Sequence, residues 1–169
     1  MGFLNNNQNI VNSEGDLWSI TRGETNIEFR CWREEGIVGS YNDGNYIPFM
    51  TSTLTEESYP RVLVSGLGIG VVPQWLCENK QSVVDVIEID QGLVTAINNM
   101  NYLHDNVNII NADINEYSTI KTYDLIYFDH LFYPNENGFE ALRDSLVSSF
   151  TSNKNENGRI VFPVHKQFY

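Results

Sequence analysis

The segment over residues 61–90 constrains this chain most, because it combines apolar runs with closely spaced glycines. Val62, Leu63 and Val64 form a short apolar run, which is typical of a parallel strand buried on both faces. Three glycines follow at alternate positions, which permits a sharp turn and a close approach of the backbone to a ligand. They are Gly66, Gly68 and Gly70. Pro73 suits the first turn of a helix, where its missing N–H costs no hydrogen bond, so we expect a helix to begin here.

A second strand that ends in an acid follows this helix. Its β-branched residues favour a strand. They are Val83, Val84, Val86, Ile87 and Ile89. Glu88 lies at the C-terminal end of this strand, where open α/β sheets bind their ligands. A glycine turn followed by such an acid predicts an adenosine site, in which the turn passes under the ligand and the acid accepts hydrogen bonds from the ribose hydroxyls.

The glycine spacing separates two kinds of adenosine ligand. A fold that binds a nicotinamide dinucleotide prefers GxGxxG, where the third glycine lets the helix pack closely. Val71 stands at that third position here, and Gly70 comes one residue early. The spacing therefore favours S-adenosylmethionine over a dinucleotide. An ordinary tight turn is the alternative for the GxGxG run taken alone.

The sequence resembles the nucleotide-binding core of class I S-adenosylmethionine-dependent methyltransferases over roughly residues 46–164, and within that superfamily its spermidine synthase-like branch. Many methyltransferases carry an acid two residues before the first glycine, whereas spermidine synthases have an apolar residue there, like Val64 here. Spermidine synthases also carry Glu-Ile-Asp at the second strand, which matches Glu88, Ile89 and Asp90. The resemblance implies an α/β, Rossmann-like methyltransferase fold with a mainly parallel sheet. It also implies S-adenosylmethionine contacts from Ser65, Gly66, Leu67, Gly68, Gly70, Glu88 and Ile89.

An acid after the third predicted strand matches another position of the superfamily. Residues 106–111 form this strand, and Asp113 follows it with Ile114 beside it. In the superfamily an acid at this place accepts a hydrogen bond from the adenine amino group, while neighbouring apolar groups hold the ring. The resemblance thus implies that Asp113 and Ile114 bind the cofactor. A single Asp after a strand also serves as a helix N-cap, which is the alternative.

The exit of the fourth predicted strand, over residues 123–128, carries the candidate catalytic residues. In the resembled fold this exit faces the reactive end of the cofactor. Asp129 matches the acid with which spermidine synthases take a proton from the attacking amine. Their second acid is absent, because His130 follows, and Ile69 stands where they carry a further Asp in the glycine turn. These two departures weigh against polyamine synthesis.

His130 is a second catalytic candidate. Histidine titrates near neutrality, and an Asp–His pair can deprotonate a hydroxyl or an amine. Adjacent residues of an extended chain point in opposite directions, so a direct dyad with Asp129 is not expected. We therefore assign Asp129 to the reactive end of the cofactor, with His130 as a further candidate beside it.

The composition bounds the partners and the location. The net charge is −12, and the 10 Lys and Arg residues form no basic stripe that would neutralise phosphates, so no nucleic-acid partner is expected. The acidity suits cationic substrates such as polyamines, or simply a well-solvated surface. Cys31 and Cys77 have no metal-like spacing, so we expect no metal site. The absence of a signal peptide and of a long apolar run predicts a cytoplasmic protein without a membrane span.

The sequence divides into three segments. Residues 1–15 are rich in asparagine and predict a flexible arm. Residues 16–52 predict a small antiparallel β-meander of three or four strands, with Asn42-Asp43-Gly44 as a hairpin turn before a last strand over residues 45–50. Residues 53–169 are expected to form the S-adenosylmethionine-binding core, in one compact unit with the meander.

The end of the sequence predicts an exposed sheet edge. A helix over residues 138–150 precedes a polar loop over 151–158 and a fifth strand over 159–164. Methyltransferase folds usually add a final antiparallel strand pair, for which this sequence has no residues left, so the fifth strand would form a bare edge. We expect the N-terminal strands or a partner subunit to cover it, and hence a homo-oligomer.

Three functions are consistent with these patterns. The leading hypothesis is S-adenosylmethionine-dependent methyl transfer to a small-molecule acceptor, which asks little of the protein beyond positioning because the sulfonium is already activated. The second is spermidine synthase-like aminopropyl transfer from decarboxylated S-adenosylmethionine. The third is a non-catalytic protein that binds S-adenosylmethionine or regulates a partner.

Overall fold

The computed structural model describes residues 8–11, 17–22, 27–31, 36–40, 46–56, 58–101, 103–129 and 138–163. Its first four strands form an antiparallel sheet in the order β1-β2-β3-β4, which confirms the predicted meander. They are β1 (Gln8–Val11), β2 (Leu17–Arg22), β3 (Ile27–Cys31) and β4 (Gly36–Ser40).

Helices and parallel strands alternate in the rest of the chain. The strands are β5 (Arg61–Ser65), β6 (Val83–Glu88), β7 (Val107–Asn111), β8 (Tyr123–Phe128) and β9 (Lys154–Val161). The helices are α1 (Tyr46–Thr53), α2 (Val71–Lys80), α3 (Gln91–Met100) and α4 (Phe139–Phe150), and a 3-10 turn, Thr151–Asn153, follows α4. No helix in the described part of the chain has both the length and the apolarity to cross a membrane.

The parallel sheet has the strand order β7-β6-β5-β8-β9. From β5 the chain adds β6 and β7 on one side, and then returns to add β8 and β9 on the other. The order therefore reverses between β5 and β8, which pair in parallel from Val62 with Leu125 to Ser65 with Phe128. Open α/β sheets bind ligands beyond the carboxyl ends of the strands at such a reversal. The fold thus brings the glycine turn after β5 and Asp129 after β8 to one crevice.

Both faces of this sheet are covered by helices, which is why its inner strands read as continuous apolar runs. One face packs against α1, α2 and α3. Its buried residues include Val62, Val64, Met50, Leu76 and Ile97. The other face packs against α4, and its buried residues include Leu63, Phe128, Leu146 and Phe150. Burial, and then the charge of Glu78, raise the pKa of the Cys77 thiol to about 11, so this cysteine packs as a small inert hydrophobe.

The predicted strand over residues 45–50 is wrong, because helix α1 forms here instead. Pro48 lies in the first turn of α1, where a missing N–H breaks no hydrogen bond. Met50 and Leu54 are four residues apart, the spacing of one helical face, and each is 0% exposed. Burial of this face against the parallel sheet stabilises a helix here, although the apolar run resembles a strand in the sequence.

Two further boundaries differ from the prediction. β1 lies inside the predicted flexible arm but pairs with β2, from Gln8 with Ile20 to Val11 with Leu17, so the arm is wrong for this strand. β9 begins at Lys154 and takes up much of the predicted polar loop. Its pairing with β8 shifts between Tyr123 and Leu125, and residues 155–158 form the resulting bulge.

The outer edge of β9 is one edge of the parallel sheet. The N-terminal strands belong to a separate sheet and do not extend this edge, and β1 lies against α3 instead. The bulge and the polar residues of β9 both disfavour pairing with a further strand. Cover of this edge by a partner subunit stays a prediction.

Candidate functional site

The turn between β5 and α2 follows a path that glycine takes most easily. Gly66 has φ +97° and Gly70 has φ +75°, both in the left-handed region. A Cβ atom on Gly66 would lie 3.1 Å from the carbonyl oxygen of Asp129, and one on Gly70 would lie 2.5 Å from a methyl carbon of Leu103. The turn therefore needs glycine where it contacts the exit of β8 and the loop before β7.

The tip of the turn is open on one side. Apart from Gly68 itself and its two chain neighbours, no described residue has an atom within 4 Å of the place that a Cβ on Gly68 would occupy. The neighbouring Ile69 is instead buried, since it is 5% exposed and belongs to the core on the side of the sheet that α1, α2 and α3 cover. The open side at Gly68 is where a ligand can lie against the backbone of the turn.

Glu88, at the end of β6, holds the glycine turn in place. Its Oε2 atom accepts a hydrogen bond from the Leu67 N–H at 2.8 Å, and its Oε1 atom accepts one from the Asp90 N–H at 2.9 Å. The Leu67 carbonyl in turn accepts a bond from the Gly70 N–H at 2.8 Å. A carboxylate has about four acceptor positions, so these two bonds leave Glu88 able to accept from ribose hydroxyls as well. Glu88 is 9% exposed, at the border between the core and the crevice.

Ile89 and Asp90 divide the remaining roles of the Glu-Ile-Asp segment. Asp90 is the N-cap of α3, and its Oδ1 atom accepts hydrogen bonds from the Gly92 N–H at 2.8 Å and the Leu93 N–H at 3.1 Å. Ile89 is 66% exposed, an unusual position for a large apolar side chain, and it lies at the carboxyl end of β6. It is therefore free of the core and available to a ligand.

Asn111 joins the exits of β6 and β7, a role that the sequence interpretation missed. Its Nδ2 atom donates to the carbonyl of Glu88 at 2.9 Å and to that of Ile89 at 3.0 Å. The Ala112 N–H also donates to the Glu88 carbonyl, at 3.0 Å. The signal in the sequence is a single polar residue at the end of an apolar strand.

Asp113 closes a tight turn directly after β7. Its Oδ1 atom accepts hydrogen bonds from the N–H of Asn115 at 2.8 Å and from the Asn115 Nδ2 atom at 2.9 Å. The Glu116 N–H donates to the Asp113 carbonyl at 3.1 Å. No helix follows Asp113, so the alternative role as a helix N-cap is wrong. Among the described residues no donor binds its Oδ2 atom, which can therefore accept a hydrogen bond from a ligand. Ile114 is buried against the α4 side of the core and anchors this turn.

Asp129 lies beside the glycine turn at the exit of β8. Its N–H donates to the carbonyl of Ser65 at 2.8 Å, and its own carbonyl lies against Gly66. Ser65 is buried at the end of β5. Asp129 is half-buried, so its side chain is at the border between the protein and the crevice. His130 lies outside the described residues, and its role stays a prediction.

The predicted site residues thus come from four adjacent strand ends. Ser65 ends β5 and the turn of residues 66–70 follows it. Glu88 ends β6 and Ile89 follows it, while Asp113 and Ile114 follow β7 and Asp129 follows β8. Backbone and carboxylate hydrogen bonds link these four exits directly. Among the described residues, no group of three or more His, Cys, Asp or Glu side chains is arranged to hold a metal ion. The arrangement suits a nucleoside lying along the sheet edge, with its reactive end towards Asp129.

No family model and no curated protein matches the sequence. Solved structures do match its fold. The N-methyltransferase NodS from Bradyrhizobium japonicum WM9, solved with S-adenosyl-L-homocysteine, gives a TM-score of 0.59 at 16% identity, over 78% of this chain and 64% of that one. A probable spermidine synthase from Corynebacterium glutamicum ATCC 13032 gives 0.67 at 11% identity, over 92% of this chain and 62% of that one. The glycopeptide N-methyltransferase MtfA gives 0.58 at 16% identity, over 72% of this chain and 53% of that one.

This chain has the class I methyltransferase fold. The fold class and the resemblance expected from the sequence are thereby confirmed. The chain spans less than two thirds of the length of each of these three methyltransferase-fold structures. The match to the probable spermidine synthase covers more of the chain than residues 53–169 can supply, so it extends into the N-terminal part.

Proposed function

We propose that this chain is an S-adenosylmethionine-dependent methyltransferase that acts on a small-molecule acceptor. The observation that carries the proposal is the open side of Gly68 together with the exposed Ile89, which lie on either side of the buried Glu88 carboxylate at the reversal of the strand order. Two proteins of similar fold, NodS and MtfA, are methyltransferases, and each has been solved with S-adenosyl-L-homocysteine.

The described residues fit such a cofactor. The open side of Gly68 provides room beside the backbone of the turn, and Glu88 has acceptor positions left for ribose hydroxyls. The exposed side chain of Ile89 offers an apolar surface for the adenine ring, and Oδ2 of Asp113 offers an acceptor for its amino group. In this assignment the adenosine lies over β6 and β7, and the turn after β5 holds the amino-acid portion.

The chemistry demanded of the protein is modest. S-adenosylmethionine, when bound, would supply a methyl group on a sulfonium, which is already activated for transfer to a nucleophile. Asp129 would accept the proton that the hydroxyl or amine of the acceptor releases, since this residue lies at the strand exit beside the turn. The rest of the contribution is orientation of donor and acceptor by a rigid sheet edge.

Aminopropyl transfer from decarboxylated S-adenosylmethionine is the second candidate. It is favoured by the match to a probable spermidine synthase, which reaches beyond the core into the N-terminal part of the chain. The sequence of the glycine turn disfavours aminopropyl transfer. Ile69 occupies the position at which the resemblance expects an acid, and its side chain is turned into the core rather than towards a cationic donor. Methyl transfer therefore accounts for the turn better.

Parallel calorimetric titrations test the proposal. The protein is titrated with S-adenosylmethionine, S-adenosylhomocysteine, decarboxylated S-adenosylmethionine and methylthioadenosine, and product analysis with candidate acceptors follows. Binding of the first two and a methylated product are expected. Preference for the decarboxylated donor, with methylthioadenosine as product, would establish the second candidate. Binding without turnover would indicate a regulatory protein, and no binding by a folded sample would overturn the cofactor assignment.

The partners and location belong to the same proposal. The net charge of −12 supports a small or cationic acceptor rather than a nucleic acid. We further propose a cytoplasmic homo-oligomer, in which a second copy covers the edge of β9. Light scattering coupled to size-exclusion chromatography tests the oligomeric state, and a monomer at all concentrations would exclude it.

A further inference from the structure

The crossover from β7 to β8, residues 112–122, contains no helix. Parallel strands are usually joined through a helix that packs on the sheet. This crossover passes instead as a series of turns, and it begins with the Asp113 turn. Since it lacks the internal hydrogen bonds of a helix, its position depends on contacts with the rest of the fold.

Apolar contacts hold the first part of this crossover. Ile114 is buried, and Ala112 and Tyr117 are partly buried against the same core, whereas Ile120 near the end of the crossover is fully exposed. The far end is held by polar contacts. Asn153 donates from Nδ2 to the carbonyl of Thr119 at 2.7 Å and to that of Lys121 at 3.0 Å.

Asp85 provides the other polar contact at the far end. This residue lies within β6 on the sheet face that the crossover traverses, and it is 7% exposed. Its Oδ2 atom accepts hydrogen bonds from Lys121 Nζ at 2.8 Å and from the Tyr123 hydroxyl at 3.0 Å, and its Oδ1 atom accepts one from Asn108 Nδ2 at 2.9 Å. The signal in the sequence is a lone acid within the apolar run of β6.

The charge on Asp85 is maintained by these donors. Burial raises the pKa of Asp85, but hydrogen bonds from Lys121, Asn108 and Tyr123 and the charge of Lys121 outweigh it, so the pKa lies below its ordinary value. A buried carboxylate without its cation is costly, so the Lys121 side chain is held at this position. Lys121 is itself half-exposed, and its removal does not open a cavity in the core.

We propose that Asp85 and Lys121 are positioning residues for the adenine end of the cofactor site. Their ion pair fixes the far end of the crossover to β6, while Ile114 fixes the near end, and together they hold Asp113 where its Oδ2 atom can accept from the ligand. This inference rests on the proposed function. In this proposal the Asp85–Lys121 pair, which does not itself contact the ligand, contributes to the preference for adenine.

The test compares Lys121→Met with Lys121→Arg and with Arg143→Met. Arg143 forms an exposed ion pair with Asp144 on α4, so its loss is a control of equal charge. Each protein is titrated with S-adenosylhomocysteine and with S-inosylhomocysteine, in which a carbonyl replaces the adenine amino group. Lys121→Met should bind the adenosine ligand about tenfold more weakly, because it loses one hydrogen bond to a charged group. Its affinity for the inosine ligand should be the same as that of the wild type. Lys121→Arg retains the cation, and both Lys121→Arg and Arg143→Met should keep the wild-type preference for the adenosine ligand.

Amide hydrogen exchange without ligand provides the independent measurement. In Lys121→Met, amides of residues 113–122 should exchange faster, while those of β5 and β8 keep their protection. Unchanged exchange and unchanged preference would overturn the inference. If the wild type binds neither ligand, the proposed function fails and the positioning role with it, and exchange still shows whether the pair holds the crossover. Should Lys121→Met not fold, the double variant Asp85→Asn/Lys121→Met, which removes both charges, gives the same two measurements.

Discussion

Replacing Gly66 with alanine should destabilise the chain more than the same change at Gly138, although their φ values are nearly equal, +97° and +98°. A left-handed conformation costs an L-residue roughly 1–2 kcal/mol at either position. At Gly66 the new Cβ would also lie 3.1 Å from the carbonyl oxygen of Asp129, while at Gly138 no described residue beyond the chain neighbours lies within 4 Å. Displacing a packed backbone adds about 1–3 kcal/mol. We therefore expect a total loss of about 2–5 kcal/mol for Gly66→Ala.

Urea denaturation measures this difference through the free energy of unfolding of each variant. The contact at Gly66 has a functional consequence too, because relief of the clash must move Asp129 away from its hydrogen bond with the Ser65 carbonyl. Gly66→Ala should therefore lose turnover more than affinity for S-adenosylhomocysteine. Equal losses of stability in the two variants would show that the exit of β8 does not press on the turn. The contact between Gly66 and Asp129 would then not limit which residue the turn can carry.

Three other perturbations follow from the site. Glu88→Gln keeps the side-chain length but removes the charge, and should weaken calorimetric binding of S-adenosylhomocysteine about 10- to 100-fold, as hydrogen bonds to charged groups contribute about 1.5–3 kcal/mol; unchanged affinity would remove Glu88 from the site. Asp129→Asn should abolish methyl transfer, followed by mass spectrometry of the acceptor, without loss of cofactor binding, and retained turnover would exclude it as the base. The pKa of Asp85 is lowered from 3.8 in the fold, so its charge stabilises the folded chain above that pH and ceases to do so as the pH falls through the lowered pKa. Thermal melts of wild type and Asp85→Asn should thus differ near neutrality and converge only in strong acid, and a constant difference would contradict this.

The strands and the site acids of the parallel sheet were predictable because their signals are local. Val62 to Val64 and the run before Glu88 are buried on both faces, so each strand appears as an uninterrupted apolar stretch. The acids then follow at strand ends, where the fold itself directs them to one edge. Position along the chain was enough to place Glu88, Asp113 and Asp129 at neighbouring strand ends of one sheet edge.

The remaining features depend on contacts that the local sequence does not contain. The apolar run of α1 lacks a clear period, and only the burial of Met50 and Leu54 on one face makes it a helix. The ion pair between Asp85 and Lys121 joins residues 36 positions apart. A lone acid in an apolar strand is visible in the sequence, but its partner is decided by the path of a crossover that has no regular structure.

The hydrogen bond between Leu67 and Glu88 changes how the combination of a glycine turn and a following acid should be interpreted. The two residues are 21 positions apart, and the acid binds the N–H of the turn directly. The acid therefore has a structural role before any ligand arrives, and a chain could retain the pair for the sake of the turn alone. Two features that the fold does not require indicate a ligand instead. Gly68 is open on one side, and Ile89 is 66% exposed next to the buried Glu88. The exposure of Ile89 does not stabilise the chain itself. A bound nucleoside would cover both.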